Sequence, residues 1–253
     1  MSGAGELSGR TALVTGASRG IGRAIAVALG GMGAKLFVAG RRAAELEQTC
    51  SAVRALGVEC EALVGDLRER AWMERFERIA TSLDVLVHNA AAFAPYAPLE
   101  RVDPARIDEV LDVVVRAPLA LTARVAPAMK ARGFGRIVSI GTIAAAHGAE
   151  GQVAYSTAKS ALLGFTKSLA AECARHGVTV NLVEPGLIAT ERIAEAVEPR
   201  FQERLLANVA LGRAGAADEV ANAVAFLCSP RAAYITGEVL RVSGGFGVGL
   251  YAR

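Results

Sequence analysis

One turn near the start of the chain limits its possible folds more than any other stretch. Residues 11–15 are a short apolar run, an apolar helical pattern continues through Met32, and between them stands Gly16-Ala17-Ser18-Arg19-Gly20-Ile21-Gly22. Strand, glycine-rich turn and helix together set backbone N–H groups and a helix N-terminus against a pyrophosphate. Glycine lets the backbone turn sharply and approach a ligand closely. The spacing, T-G-x-x-x-G-x-G, differs from the commoner dinucleotide pattern G-x-G-x-x-G. A glycine-rich turn can be structural only, but the flanking strand and helix favour nucleotide binding.

The rest of the chain repeats the same alternation. Apolar runs predict strands at 35–39, 58–64, 84–88, 136–140, 178–183 and 238–242. Helical patterns fall at 43–56, 104–132, 154–171 and 217–228, with a further helix after Asp66. Each strand reads as apolar on both faces, which predicts a parallel sheet covered on both sides. With right-handed crossovers this is an α/β, doubly wound (Rossmann-type) sheet of about seven strands, with ligands at the strands' carboxyl ends. Pro118 predicts a kink or break in the long helix. Residues 93–99, with Pro95 and Pro98, read as a loop, and the tail 244–253 is rich in glycine. Residues 187–211 are charged and amphipathic with no strand directly following, a candidate lid over the site. No repeat or linker interrupts 1–253, so one domain is expected.

Composition excludes several classes of function. Hydrophobic residues are 53% and aromatics 5%, so the core is built from Ala, Val, Leu and Ile. Lys and Arg total 28 against 25 acids, too even a balance for nucleic acid, and no basic run exceeds a pair such as Arg41-Arg42. Cys50, Cys60, Cys173 and Cys228 lack metal-ligand spacing, so no metal is expected and a reduced compartment is. Residues 1–10 hold no apolar signal core, and no apolar run reaches membrane-spanning length. A soluble, cytoplasmic protein is expected.

The chemistry-bearing residues gather at predicted strand ends. Tyr155 and Lys159 are four apart, one turn along a helix. An ammonium there favours the phenolate of a tyrosine whose ordinary pKa is about 10. Alone, that spacing also fits a packed tyrosine beside a solvated lysine. Thr142 ends the strand before it. After strand 35–39 come Arg41 and Arg42 without an adjacent acid, and Arg19 of the glycine turn can converge with them. Cations there suit the 2′-phosphate of NADP(H), where an acid would suit NAD; a solvated turn is the alternative. Asp66 either accepts from an adenine amino group or caps the following helix. Asn89-Ala90-Ala91 are small residues where the backbone passes close to something flat. Gly16, Arg41, Asp66, Asn89, Thr142 and Pro185 all fall at one edge of the expected sheet.

These motifs together resemble the short-chain dehydrogenase/reductase family, closest in pattern to its 3-oxoacyl-carrier-protein reductases. The resemblance covers about residues 8–246 and rests on residues 15–22, Asp66-Leu67, Asn89-Ala90-Ala91, Tyr155-x-x-x-Lys159, Pro185-Gly186 and residues 211–215. It implies an NADPH-dependent reduction of a ketone or 3-oxoacyl carbonyl, with Tyr155 as proton donor and Thr142 bonded to the carbonyl oxygen. Lys159 would hold the nicotinamide ribose, and Pro185, Gly186, Ile188 and Thr190 would frame the nicotinamide. Ser18, Arg19, Gly20, Ile21, Gly22, Leu67, Ala90 and Ala91 complete the implied cofactor site. A homotetramer is implied too, as is docking of an acidic acyl carrier protein on Lys130, Arg132, Arg175 and His176, where cations also suit the helix ends. Oxidation of a secondary alcohol, or a nucleotide-binding scaffold with little turnover, are the alternatives. Three positions depart from the family pattern: threonine for serine at Thr142, alanine for glycine in Asn89-Ala90-Ala91, and Val114 for the active-site asparagine. The last puts a proton relay, not hydride geometry, in question.

Overall fold

The computed structural model describes residues 5–94, 96–191 and 199–248. Seven strands form one parallel sheet: β1 Thr11–Thr15, β2 Lys35–Gly40, β3 Cys60–Val64, β4 Val85–His88, β5 Gly135–Ile140, β6 Val178–Pro185 and β9 Val239–Val242. Their order is β3-β2-β1-β4-β5-β6-β9. The chain winds outward from β1 to β3, then returns to place β4 on the other side of β1. That reversal opens a crevice above the carboxyl ends of β1 and β4, the usual ligand position in such sheets.

Strand periodicity explains the layers. Successive side chains point to opposite faces, so Ala12 and Val14 of β1 pack on one side and Leu13 on the other. Val85 and Val87 part from Leu86 in the same way, as Val138 and Ile140 do from Ile137. The first face is covered by α1 (Gly20–Gly31), α2 (Ala43–Arg54) and α9 (Ala217–Cys228), through Ile25, Leu29, Leu46, Val53, Val220 and Val224. The second is covered by α3 (Arg70–Ala80), α5 (Ala117–Arg132) and α7 (Val153–Cys173), through Trp72, Phe76, Leu121, Val125, Met129 and Ala170. No helix among the described residues is long and apolar enough to cross a membrane.

Several expectations need correction. The helix expected at 104–132 is three pieces: α4 (Pro104–Leu111), a π-helical turn Asp112–Arg116, and α5. Ala117 donates its N–H to the carbonyl of Asp112, one residue beyond the α-helical partner. Pro118 has no N–H for the carbonyl of Val114, and its ring crowds that carbonyl. The expected break is therefore a widened turn just before the proline. No strand is expected directly after 187–211, yet β8 (Gly215–Ala216) follows it and pairs with β7 (Ile188–Ala189) at its start. A two-residue ladder leaves no apolar run to read. Of the candidate lid, 192–198 lies outside the described residues, and α8 (Pro199–Leu206) follows. The two edge strands are not buried on both faces: β9 has no buried residue and carries Arg241, and β3 exposes Glu61, because the covering helices reach the sheet's margins less fully than its centre. A short helix, α6 (Ala144–His147), follows β5 where none was expected.

Candidate active site

Gly16 follows β1 directly with φ of 65°, in the left-handed region that glycine adopts without strain. A Cβ there would meet the backbone of Ala90 at 2.8 Å, and one on Gly22 would strike the Gly16 carbonyl and the Asn89 amide. The glycines thus let the turn close onto the end of β4. Asn89 holds that contact: its Nδ2 donates to the carbonyls of Thr15 and Gly16, each at 3.0 Å. Thr15 Oγ1 accepts from the N–H groups of Asn89 and Ala90. Helix α1 then begins after Arg19 with no side-chain cap and no acid in its first turn. Its N-terminal N–H groups and dipole face the crevice, an arrangement that suits an anion.

The crevice is one cavity of about 480 Å³, and the twenty residues expected to bind the cofactor or carry the chemistry all line it. At one end, after β2 and β3, are Arg41, Arg42, Asp66 and Leu67; at the other, after β5 and β6 and on α7, are Thr142, Tyr155, Lys159, Pro185, Gly186, Ile188 and Thr190, and Arg19 belongs to the glycine turn between them. Gly16, Ser18, Gly20, Ile21, Gly22, Asn89, Ala90 and Ala91 lie between them.

The cationic end departs from expectation in one respect. No acid stands beside Arg41 in the sequence, yet Arg41 Nη1 lies 3.9 Å from Asp66 and 3.7 Å from Glu109, while Arg42 pairs with Glu45 at 3.2 Å. Glu109 arrives from α4, far along the chain, so nothing local foretells it. Asp66 does not cap the following helix, whose N-cap residue is Glu69. Its carboxylate instead accepts from the backbone N–H of Arg68 at 3.0 Å and from the Arg68 guanidinium at 2.9 and 2.8 Å. The Arg68 guanidinium holds the Asp66 carboxyl below the usual carboxylate range.

At the other end, Lys159 is buried and its Nζ donates to the carbonyl of Ile140 at 2.6 Å. The ammonium lies 5.7 Å from the centre of the Tyr155 ring. Thr142 Oγ1 accepts from the N–H of Ala144 at 3.2 Å, an arrangement that directs its own hydroxyl hydrogen elsewhere. Phe93 stacks on Tyr155 with centroids 4.6 Å apart and planes 25° from parallel. Val114 is only 1% exposed and sits in an apolar cluster with Ala92, Ala94, Ala158 and Leu162.

Other lining residues escaped the sequence reading: Phe93, Tyr96, Glu109, Val113, Ala144, Ala149 and Gln152. Phe93 follows the carboxyl end of β4, so the rule that located Asn89 would have found it. The proposed carrier-docking residues fare differently. Helices α5 and α7 run into β5 and β6, so Lys130, Arg132, Arg175 and His176 lie at the strands' amino ends, opposite the cavity. Arg132 is held internally, donating to the carbonyls of Thr81 and Leu83 and lying 3.4 Å from Asp84. Among the described residues no cluster is suited to a metal, and the four cysteines are free and buried.

A doubly wound parallel sheet, a glycine turn at the first strand and a tyrosine–lysine pair across the crevice define a dinucleotide-dependent oxidoreductase. The chain belongs to the short-chain dehydrogenase/reductase family of NAD(P)-dependent enzymes. Residues 16–247 match the family model described as enoyl-(acyl carrier protein) reductase. The 3-oxoacyl-(acyl-carrier-protein) reductase of Escherichia coli (strain K12) is 40% identical over 245 residues, covering 95% of this chain and 98% of the relative. That of Aquifex aeolicus (strain VF5) is 39% identical over 249 residues, with coverage of 95% and 98%. Among solved structures, a proposed NAD(P)-dependent gluconate 5-dehydrogenase from Beutenbergia cavernae with bound NADP matches with a TM-score of 0.90 and 35% identity, covering 96% of this chain and 99% of that one. A 3-oxoacyl (acyl-carrier-protein) reductase from Agrobacterium tumefaciens C58 with NADP bound gives a TM-score of 0.87 at 35% identity, with 95% of each chain covered.

Proposed function

We propose that this protein is an NADPH-dependent carbonyl reductase that converts a ketone or 3-oxoacyl group to a secondary alcohol. The observation that carries the reading is the shared cavity, which Arg19, Arg41 and Arg42 line together with Thr142, Tyr155 and Lys159. The uncapped start of α1 and the close-set glycines fit a pyrophosphate, and Arg19, Arg41 and Arg42 fit a 2′-phosphate. Bound there, NADPH supplies the hydride. Tyr155 gives its proton to the carbonyl oxygen, and Thr142 donates a hydrogen bond to that oxygen as charge builds on it. Lys159, pinned through Ile140, would hold the ribose hydroxyls, and it keeps a positive charge near the phenol, which favours the phenolate once the proton has left. Pro185, Gly186, Ile188 and Thr190 would wall the nicotinamide. The 3-oxoacyl-(acyl-carrier-protein) reductases among the relatives support an acyl thioester substrate.

The gluconate dehydrogenase likeness supports a second reading, oxidation of a hydroxy acid by the same residues. One assay separates the two: purified protein with NADPH and 3-oxoacyl thioesters or ketones, against NADP with gluconate. The proposal expects NADPH consumption in the first and little reaction in the second; the reverse pattern would replace it.

A further inference from the structure

We infer that Phe93 is a specificity-determining residue: its ring forms the wall against which the group flanking the substrate carbonyl packs, and it selects flat or apolar ketones over sugar acids. The inference rests on the proposed reductase reading and names its substrate class.

The position of the ring is built into the fold. At one end, Asn89 ties the segment to Thr15 and Gly16. At the other, the N–H of Ala97 donates to the carbonyl of Gly151 at 3.1 Å. Between these ties, Ala92 and Ala94 are buried against Ala158 and Leu162 of α7 and against Val114. Phe93 stands between two buried alanines, so in an extended segment its side chain projects the opposite way, into the cavity. There it covers one face of Tyr155 at 4.6 Å between centroids.

A carbonyl oxygen receiving the Tyr155 proton lies about 2.7 Å from the phenol oxygen. The carbons on either side of that carbonyl then come within van der Waals reach of the Phe93 ring. A phenyl face rewards flat or apolar groups and offers hydroxyls no partner, at a cost for each one buried against it.

The charges point the same way. Arg41 and Arg42 follow β2, three strands away from β5 and Thr142 in the sheet, and Arg19 belongs to the glycine turn between them. Around Thr142 and Tyr155 the described lining residues are Phe93, Tyr96, Ala144, Ala149 and Gln152, none of them cationic. Lys159 is held by the Ile140 carbonyl, and Glu191 adds an acid beside Thr190. Apart from Lys159, whose ammonium is buried against the Ile140 carbonyl, a substrate carboxylate would find no countercharge among these residues.

The test compares wild type, Phe93→Ala and Phe93→Leu on two substrates with NADPH: a 3-oxoacyl thioester of N-acetylcysteamine and 5-keto-D-gluconate. NADPH binding and thermal unfolding of each variant show that fold and cofactor site are intact. Wild type should favour the thioester in kcat/KM. Phe93→Ala should lower kcat/KM for the thioester about tenfold, mainly through KM, and change that for the sugar acid little; Phe93→Leu should fall between. A wild type that prefers the sugar acid, or a substrate ratio unchanged in both variants, would overturn this inference and leave the reductase reading standing. A wild type that binds NADPH but reduces neither substrate would overturn both.

Discussion

Arg41 shows how a single residue sets the balance at the cofactor end. A 2′-phosphate arriving there competes with Asp66 and Glu109 for the same guanidinium. A charge-assisted contact to phosphate is worth about 1.5–3 kcal/mol, and the competing acids argue for the lower figure. Arg41→Ala should therefore weaken NADPH binding about tenfold and leave NADH nearly unchanged, while Glu109→Gln should tighten NADPH. Fluorescence titration of both cofactors checks this; equal losses for NADPH and NADH would contradict it. His88 carries a different prediction. Its ring nitrogen shares a hydrogen bond of 2.9 Å with Thr122 Oγ1, and burial pushes its pKa from 6.5 down to about 3. Between those values the unfolded chain binds a proton that the folded chain refuses, so this contribution to stability is whole above pH 6.5 and drains away as pH falls. At pH 5 the loss is at most about 2 kcal/mol. Urea unfolding at pH 7 and pH 5 should show it, and His88→Asn should flatten that dependence.

At the scale of elements, the turn before Pro118 decides what Val114 does. A valine cannot supply an amide, but it packs against Ala92 and Ala94 and so supports the segment that carries Phe93. Val114→Asn would bury an amide in that apolar cluster, at a cost of about 1–3 kcal/mol. The expected outcome is lower stability with no gain in turnover; faster turnover at unchanged stability would show that the missing amide limits the enzyme. This region also marks where sequence reading stops. The strands were legible because β1 and β4 hold unbroken apolar runs and β5 and β6 are rich in Val, Ile and Leu, and much of the site was legible because its residues follow those strands directly. Two-residue β7 has no run to read. Glu109 meets Arg41 only through the fold, and the π turn depends on where Pro118 places a missing N–H. The stacking of Phe93 on Tyr155 is likewise tertiary: two aromatic residues 62 positions apart carry no sign of each other.

For the whole molecule, apolar surface on the two long helices makes assembly the first question. Leu119 of α5 and Val153 and Leu163 of α7 are 51%, 48% and 45% exposed on the single chain. Apolar surface of this kind on paired helices favours self-association, and a homotetramer is the expected state. Light scattering at micromolar concentration checks it, and a monomer would refute it. Carrier recognition follows from the same scale. Lys130 and Arg175 lie across the sheet from the cavity, so reversing both to Glu should leave free thioester turnover unchanged. A raised KM confined to carrier-bound substrate would show that the patch docks the carrier. The central claim is that Tyr155 protonates the carbonyl oxygen in a site that binds NADPH, and loss of NADPH absorbance with a 3-oxoacyl thioester, in wild type and Tyr155→Phe, tests it most directly. The account predicts steady consumption by wild type and a fall of about 10²–10⁴-fold in Tyr155→Phe, with NADPH affinity unchanged. Equal rates in the two proteins, at equal NADPH occupancy, would contradict it.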